Sequence, residues 1–598
     1  MAGNDNKYSL TYPQKNIWLV DKFYGDTPIN TISGNLDISR GFNIESCNKA
    51  VNKMVEMNDA LRFNIFAESG QPVQTVNSYN PFEVDVFNMA EKSEKEILEL
   101  EESITVTPMN IEKDGCYYFA IIAKGNGKGT IVVKIHHIVS DAWTFGRVGT
   151  SIAEYVELVE KNEEITEIKP SYIEYIHAEQ EYIKSDKFIN DKQFWTNYLE
   201  GINEAVGLKE ETKKISPKAE RYSIQLEQDI NTKIVEYARA NRLSPYTIFM
   251  TALAIYIHRT TSKQDFVIGT PVLNRSNFKE KQMMGMFVST MPVRYIIDEK
   301  DSFLDMCKKG STDFMSLFRH QKYPYSLTLE EVHKKTDIKD NLYKVILSYQ
   351  NAKASYPDQD KYSSSWIFSG QAEDDFAIHI MDMDSDGAMH IHFDYRTDIF
   401  QRVEVEYIAS RILAIIEDGI DNNKAVENIE IMTKEEKNKI LYGFNDTDSN
   451  YPKDKTIIDL FVEQLEKTPD NIALVFEDKQ ITYRDLNEKI NCVAEYLQEI
   501  GVKNVILNIQ NCLETVIYIY GILKAGGSYT PIDENIPKQR VEFIIKDSKA
   551  DAIISNTYYN GIYNINRNKI FTSGNNSLTK IENRHAYTIY TSGTTGNP

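Results

Sequence analysis

Hydrophobic and polar positions alternate along the chain in patterns that predict both strands and helices. Residues 131–135 are mostly β-branched, which predicts a strand that runs into a loop. Residues 117–124 predict the other strand of a hairpin, because only a glycine-rich turn separates the two runs. Residues 46–61 and 147–160 have the apolar spacing of helices, and Ser244-Pro245 predicts the capped start of another helix. The pattern as a whole predicts a mixed α/β protein.

A pair of histidines, His136 and His137, directly follows the predicted strand at 131–135. Side chains of a strand alternate between its two faces, so Ile131, Val133, Ile135 and His137 share one face. That face is apolar until the imidazole, and Asp141 follows four residues later. This arrangement suits a base placed at the mouth of a cavity, although a core histidine beside a polar turn would give the same pattern.

Composition narrows the classes of protein. The formal net charge of −21 disfavours nucleic acid or an anionic membrane as a partner. No apolar run is long enough for a membrane span, and the N-terminus lacks the apolar core of a signal peptide. The five cysteines are scattered, and no cluster has metal-ligand spacing, so we expect a cytoplasmic protein without a metal site.

The histidine segment resembles a known signature. His136-His137-x-x-x-Asp141-x-Trp143 is similar to the HHxxxDG motif of nonribosomal peptide synthetase condensation domains, which belong to the chloramphenicol-acetyltransferase-like superfamily. The resemblance implies that His137 serves the reaction and that Asp141 is structural. Ala142 stands where the family has glycine, which puts a glycine-dependent loop shape in question but not the base. The candidate catalytic segment is therefore His136, His137, Asp141, Ala142 and Trp143.

Further segments match other motifs of the same family. They are Gln14 and Trp18, residues 58–66 with a structural Arg62, Tyr172–Tyr175, residues 285–290, His320–Pro324 and Val345–Asn351. The resemblance implies two chloramphenicol-acetyltransferase-like α/β lobes in a V-shaped pseudo-dimer, with an N-lobe at 1–168 and a C-lobe at 169–435. It also pairs Asp141 with Arg275 in a buried ion pair.

A different pattern follows a polar, turn-rich linker at 436–453. Residues 454–598 contain three segments that resemble the first core motifs of amino-acid adenylation domains, and we read them as a partial α/β adenylation subdomain. The last segment is a hydroxyl-rich and glycine-rich loop suited to holding phosphates, made of Thr591, Ser592, Gly593, Thr594, Thr595 and Gly596. Because the usual following lysine is missing, we expect no adenylation activity; ATP and Mg would bind only to an intact domain.

The resemblance implies amide formation between a donor acyl or peptidyl thioester and a carrier-bound aminoacyl acceptor. Both substrates would arrive on the phosphopantetheine arms of carrier proteins, and the chain itself would bind no cofactor. The chain starts within ten residues of the first motif, so we expect the donor to come from another polypeptide. We also expect the protein to be a monomer. A fatty acyl donor would make this a starter domain of lipopeptide antibiotic biosynthesis. The alternatives are an epimerization domain, a degenerate docking platform and an adenylate-forming ligase.

Overall fold

Contacts divide the chain into a first unit, Met1–Asn445, and a second unit, Asp446–Pro598. The division falls inside the stretch where the sequence suggests a linker. The computed structural model describes residues 7–166, 168–209, 216–351, 354–382, 387–510, 512–571, 578–580 and 585–591.

The first unit alternates helices and strands. Its helices are α1 (Tyr12–Tyr24), α2 (Ile44–Met57), α3 (Glu94–Val106), α4 (Ala142–Glu160), α5 (Tyr172–Ile183), α6 (Asp186–Tyr198), α7 (Gln228–Asn241), α8 (Pro245–Thr261), α9 (Phe278–Gln282), α10 (Phe303–Phe318), α11 (Tyr325–His333), α12 (Arg402–Asn422) and α13 (Lys434–Asn438). Its strands are β1 (Tyr8–Ser9), β2 (Thr31–Ile38), β3 (Phe63–Glu68), β4 (Gln71–Val76), β5 (Asp85–Asn88), β6 (Tyr117–Gly125), β7 (Lys128–His136), β8 (Ala219–Gln225), β9 (Asp265–Val272), β10 (Ser289–Ile296), β11 (Val345–Gln350), β12 (Tyr362–Ile367), β13 (Phe376–Met381) and β14 (His390–Arg396).

Two larger sheets organise this unit. One has five strands in the order β12-β2-β7-β6-β5, and the other has six in the order β10-β9-β11-β13-β14-β8. Strand β7, which ends at the histidine pair, lies between β2 and β6 and is antiparallel to both. The predicted hairpin of β6 and β7 is therefore confirmed. A three-stranded sheet, β1-β4-β3, completes the unit.

Strand β7 is buried on both faces. Ile131, Val133 and Ile135 lie in one large core, whereas Val132 lies in a small cluster on the opposite face with residues of α3 and β6. Lys134, also on that opposite face, is 3% exposed, and its amine donates to the carbonyl of Ile104 at 2.6 Å near the end of α3. Burial lowers the pKa of Lys134 to about 8. Because β7 is packed on both faces, the backbone position from which the histidine segment begins is fixed.

Strand β12 comes from late in the chain but belongs to the sheet that contains β7. It pairs antiparallel with β2, with Tyr362 opposite Ile38. The neighbouring Lys361 amine donates to Glu157 at 2.7 Å and to Glu160 at 3.1 Å, and both carboxylates are on α4. The late strand is thus attached to the helix that begins beside Asp141.

The boundaries of two predicted helices differ from the sequence pattern. The helix predicted at 147–160 begins at Ala142, because the carboxylate of Asp141 caps it by accepting from the Thr144 N–H at 2.8 Å. The sequence pattern over residues 170–199 predicts a single helix, and this prediction is wrong, since the chain forms α5 and α6 there. Ser185 ends the continuity by capping α6 through the Phe188 N–H at 3.3 Å.

The second unit is a smaller α/β assembly. Its helices are α14 (Ile457–Lys467), α15 (Tyr483–Glu499), α16 (Leu513–Lys524), α17 (Lys538–Ser548) and α18 (Arg567–Ile570). Its strands are β15 (Ile472–Phe476), β16 (Lys479–Thr482), β17 (Asn504–Asn508), β18 (Ser528–Pro531), β19 (Ala552–Ser555) and β20 (Tyr563–Asn564). The last four form a parallel sheet in the order β18-β17-β19-β20.

The predicted phosphate loop can be followed only to its first residue. Residues 586–588 run beside β18, where the Tyr529 N–H donates to Ala586 and the Thr588 N–H donates to Tyr529. Thr591 follows at this edge, and Ser592 to Gly596 lie outside the described residues. Within the described part of the chain, no helix has both the length and the apolar composition that a membrane span requires.

Candidate active site

The histidine segment changes direction immediately after β7. The strand ends at His136, and His137–Val139 form a single 3₁₀ turn. The N–H of His137 donates to the carbonyl of Asn30 at 2.7 Å, so the turn remains attached to the start of β2. His137 is partly exposed, whereas its neighbours from Ile135 to Asp141 are buried. The segment therefore presents one side chain and buries the others.

Both ring nitrogens of His136 are engaged. Nδ1 accepts from the Ile138 N–H at 3.2 Å, and Nε2 lies 3.0 Å from a carboxylate oxygen of Asp21 on α1. These partners fix the tautomer with the proton on Nε2. The ring is 2% exposed. His136 therefore braces the turn against α1 and has no nitrogen left for a substrate.

The ring of His137 is in a different state. Its Nδ1 is buried and has no hydrogen-bond partner within the residues that the structure describes. Burial lowers the pKa of His137 below its usual 6.5, because the charged imidazolium loses water. The ring is consequently neutral near pH 7 and can accept a proton.

A buried ion pair lies beneath the turn. Arg275 Nη1 donates to Asp141 Oδ2 at 2.7 Å and Nη2 donates to Oδ1 at 3.1 Å, with both side chains fully buried. The Phe287 N–H donates to the same carboxylate at 3.1 Å. Burial alone would raise the pKa of Asp141, but Arg275 and the backbone N–H groups lower it below its usual 3.8. The carboxylate is therefore ionised and committed to these partners.

Thr144 and Gly285 extend the same network. The Thr144 hydroxyl donates to the Gly285 carbonyl at 2.8 Å and accepts from the Gly285 N–H at 3.0 Å. Arg275 donates to that hydroxyl at 3.0 Å, and its guanidinium lies 4.0 Å from the ring centroid of Phe287. Asp141 and Arg275, which are 134 positions apart, thus belong to one polar cluster that holds the start of α4 in place.

Gly285 occupies a position that no other residue fits. Its φ is +144°, and an added Cβ would lie 2.2 Å from the ring of Tyr172. We expect Gly285→Ala to lower the free energy of unfolding of the first unit by about 2–3 kcal/mol, measured by urea denaturation. Gly25→Ala is the matched control, because Gly25 has a φ of +64° but nothing within 4 Å of its added Cβ. It should cost only about 1 kcal/mol, and equal losses would exclude the clash with Tyr172.

Ala142 and Trp143 form the first turn of α4. Ala142 is the first helical residue and is not among those with positive φ, so the turn here does not depend on glycine. The indole N–H of Trp143 donates to the carbonyl of Lys281 at 2.9 Å, at the end of α9. Trp143 therefore links the histidine segment to the chain that precedes Gly285.

Helix α1 supports the turn from the other side. The side-chain amide of Gln14 donates to the carbonyl of Ile138 at 3.1 Å and to Gln74 at 3.0 Å. Gln14 and Trp18 are the residues that match the family's opening motif. The hydrogen bond from Gln14 to Ile138 gives Gln14 a structural role beside the histidine turn. Arg62 lies elsewhere and donates to the Asn77 carbonyl at 2.6 Å.

Sequence reasoning missed two partners of the histidines. Asp21 holds His136, and the Asn30 carbonyl holds the backbone of His137. Neither belongs to a motif, and each contact depends on how α1 and β2 pack against β7. Only the three-dimensional arrangement brings them to the site.

A buried strand that ends at a partly exposed histidine, with an ion-paired carboxylate four residues on, defines a candidate group-transfer site in an α/β protein. The condensation-domain family matches residues 4–441, and the chain belongs to that family. Residues 461–598 match the AMP-binding enzyme family. A condensation domain followed by AMP-binding residues is the order that the sequence motifs predicted.

Among curated relatives, surfactin synthase subunit 1 of Bacillus subtilis (strain 168) is 32% identical over 610 residues, which cover 99% of this chain and 17% of the relative. Bacitracin synthase 3 of Bacillus licheniformis is 25% identical over 612 residues, which cover 99% of this chain and 10% of the relative. The chain thus spans only a small part of either relative's length.

Solved structures share the fold. A four-domain nonribosomal peptide synthetase bound to AMP and glycine has a TM-score of 0.79 at 16% identity, covering 98% of this chain and 47% of that chain. A mutant of the starter condensation domain of rhizomide synthetase in complex with C8-CoA has a TM-score of 0.65 at 17% identity, covering 71% of this chain and 98% of that chain.

Proposed function

We propose that the first unit joins a donor acyl or peptidyl thioester to the amine of a carrier-bound aminoacyl acceptor. In this reaction a C–N bond forms, the C–S bond of the thioester breaks, and the thiolate leaves with a proton that originates on the amine. The observation that carries the proposal is the state of His137. Its imidazole is neutral, and it is the one partly exposed residue in the buried segment from Ile135 to Asp141.

His137 has two roles open to it. A positioned base typically contributes about 10²- to 10⁴-fold, whereas holding two reactants in contact reaches effective molarities of about 10⁵ M or more. A thioester is already an activated acyl donor. His137 therefore acts mainly by holding the amine in line for attack, and proton acceptance adds to this.

The neighbouring residues keep that imidazole in place. His136 fixes the turn through Asp21, and Asp141 fixes the start of α4 through Arg275. Asp141 has its oxygens occupied by Arg275 and backbone N–H groups, so it is not a second base. The positive end of the α4 dipole, at Ala142 and Trp143, faces the turn and favours negative charge that develops nearby.

The partners under this proposal are carrier proteins whose phosphopantetheine arms present both thioesters to a monomeric chain. A fatty acyl donor would make the unit a starter domain, the class to which the similar rhizomide synthetase domain in complex with C8-CoA belongs. A reducing compartment such as the cytoplasm suits the five free cysteines. Burial raises the pKa values of Cys47, Cys116 and Cys307 to about 12, which keeps these thiols unreactive.

The test supplies octanoyl-CoA or an octanoyl carrier protein together with aminoacyl carrier proteins, and follows the acceptor by intact mass. We expect an acceptor that gains the mass of the donor acyl group. No gain with acyl donors, followed by a gain with peptidyl donors, would reject the starter subtype and keep amide formation. No gain with either donor class would favour a docking platform. ATP–pyrophosphate exchange by the same chain would favour an adenylate-forming ligase.

A further inference from the structure

Two of the contacts that hold the histidine turn converge on one carboxylate. Asp21, in the last turn of α1, has one oxygen 3.0 Å from Nε2 of His136 and the other 2.5 Å from the side-chain nitrogen of Asn30. The backbone carbonyl of Asn30 accepts from the N–H of His137 at 2.7 Å. The ring of the first histidine and the backbone of the second are therefore both connected to Asp21.

Each partner of Asp21 is a donor that a further contact holds in place. Nδ1 of His136 accepts from the Ile138 N–H at 3.2 Å, so the ring carries its proton on Nε2 and donates to Asp21. The Asn30 amide nitrogen also donates to the carbonyl of Ile17 at 3.2 Å, one turn earlier on α1. A carboxylate supplies one acceptor oxygen to each donor, whereas a carboxamide would point its own NH₂ group at one of them.

These contacts are mostly shielded from water. His136 is 2% exposed and Asn30 is 5% exposed, and the side chain of Asp21 is 20% exposed. Hydrogen bonds to an ionised acceptor are stronger than those between neutral groups, and a buried donor that loses its partner pays the cost of its lost hydration. The loss of one oxygen of Asp21 would therefore favour a shifted turn in which the donor finds another partner.

Helix α1 is a suitable support for such a contact. Gln14 and Asp21 are seven positions apart and so lie on one face of the helix. The side-chain amide of Gln14 donates to the carbonyl of Ile138 at 3.1 Å, at the far side of the turn from the ring of His136. One face of α1 thus holds the turn at two points, and Asp21 holds the point that lies next to His137 in the chain.

We infer that Asp21 is a positioning residue for His137. It acts through His136, whose ring it orients, and through Asn30, whose carbonyl receives the N–H of His137. A displacement of about 1 Å at a reacting group can cost about 10²-fold in rate, so the support of a single turn is enough to affect the reaction. The effect on rate rests on the proposed function, whereas the hold on the turn does not.

The first test compares Asp21→Asn with the parent chain in steady-state amide formation. The acceptor is an aminoacyl carrier protein, and the donor is the octanoyl or peptidyl carrier protein that the parent chain uses. Asp21→Asn keeps the size of the side chain but accepts from only one of the two donors. We expect kcat to fall about 10- to 100-fold, while KM for each carrier protein stays within about twofold of the parent value.

Two further variants show whether the two acceptor oxygens carry the effect. Asp21→Glu keeps both oxygens and should recover most of the rate lost in Asp21→Asn. Asn30→Ala keeps the backbone carbonyl that holds His137 but lacks the side-chain amide that donates to Asp21. Adding Asp21→Asn to Asn30→Ala should lower kcat by a smaller factor than Asp21→Asn does alone, because residues of one network are not additive.

Glu112→Gln is the matched control, because Glu112 is an exposed acid that contacts α1 through the amine of Lys22 at 3.0 Å. It removes a carboxylate beside the same helix and should leave kcat and KM unchanged. Melting temperatures of all variants within a few degrees of the parent chain establish folding.

Hydrogen exchange followed by mass spectrometry gives a readout that needs no turnover. The N–H groups of His136, His137 and Ile138 donate to the Cys116 carbonyl, the Asn30 carbonyl and the His136 ring. In Asp21→Asn, peptides that span this turn should exchange faster than in the parent chain. Peptides from β9 and β11, in the other large sheet, should exchange at the parent rate.

The rate and the exchange measurements let the two proposals fail separately. If the parent chain forms no amide but Asp21→Asn speeds exchange only at the histidine turn, the proposed reaction is wrong and Asp21 still holds the turn. If amide forms and Asp21→Asn keeps the parent kcat, or lowers it no more than Glu112→Gln does, the positioning role is rejected. Faster exchange throughout the first unit, or none at the turn, would also reject it.

Discussion

Replacing His137 with alanine is expected to lower the rate of amide formation by about 10²- to 10⁴-fold. The variant loses the neutral imidazole that would receive or hold the attacking amine, but it keeps the buried turn around it. The reaction should not stop entirely, because the thioester remains activated and the two substrates are still held together. Single-turnover measurements with preloaded donor and acceptor carrier proteins give the rate of the chemical step directly.

His177→Ala is the control for this change, because His177 is an exposed histidine on α5 whose ring lies edge-on to Tyr8. It should leave the rate within about twofold of the parent chain. A His137→Ala variant with the parent rate would remove His137 from the reaction altogether.

The pH dependence of the chemical step follows from the state of the ring. The pKa of His137 lies below 6.5, so the neutral form persists at more acidic pH than for an exposed histidine. We expect the acid limb of kcat at saturating substrates to lie below pH 6.5 and to vanish in His137→Ala. A limb above pH 7 that His137→Ala retains would point to a different group.

Local patterns in the sequence predicted the parts of the fold that depend on near neighbours. The alternating β-branched run gave β7, and the short glycine-rich turn gave its pairing with β6. The start of α4 was placed too late, because Asp141 was read only as a motif residue. An aspartate three positions before Thr144 is also a helix cap, and that signal would have placed the start at Ala142.

Contacts over long stretches of chain could not be read from spacing. The pairing of Asp141 with Arg275 came from family resemblance, because periodicity carries no information across 134 residues. The pairing of β12 with β2 and the Asp21 contact of His136 both depend on tertiary packing. Resemblance pointed to His137 as the candidate catalytic residue, whereas the structure located the residues that hold it.

Removing the carboxylate of Asp141 should have the largest effect on stability. In Asp141→Ala the Arg275 guanidinium stays buried without its counter-ion, and breaking a buried pair in this way costs about 3–5 kcal/mol. The start of α4 also loses its cap, and the Phe287 N–H loses its acceptor. We expect a lower urea midpoint for the first unit, a lower yield of folded protein and slower amide formation.

The same pair sets an acid limit on stability. The folded pKa of Asp141 is below 3.8, so its stabilising contribution is present above that value and is lost as the pH falls through the folded pKa. Asp141→Ala should therefore be destabilised most at neutral pH and should differ less from the parent chain in acid. A constant difference at all pH values would mean that the loss comes from packing alone.

Two further variants separate the pair from other causes. Glu174→Ala breaks an exposed ion pair with Lys279 and should cost no more than about 1 kcal/mol.

The double variant Asp141→Leu with Arg275→Met removes both charges together and should recover much of the stability lost in Asp141→Ala, because no unpaired charge remains buried. If Asp141→Ala has the same urea midpoint as the parent chain but forms amide slowly, Asp141 affects the reaction at His137 directly and not by stabilising the fold. If the double variant is stable but still forms amide slowly, the ion pair both stabilises the fold and supports the reaction. In that variant the turn is folded but lacks the carboxylate that orients it.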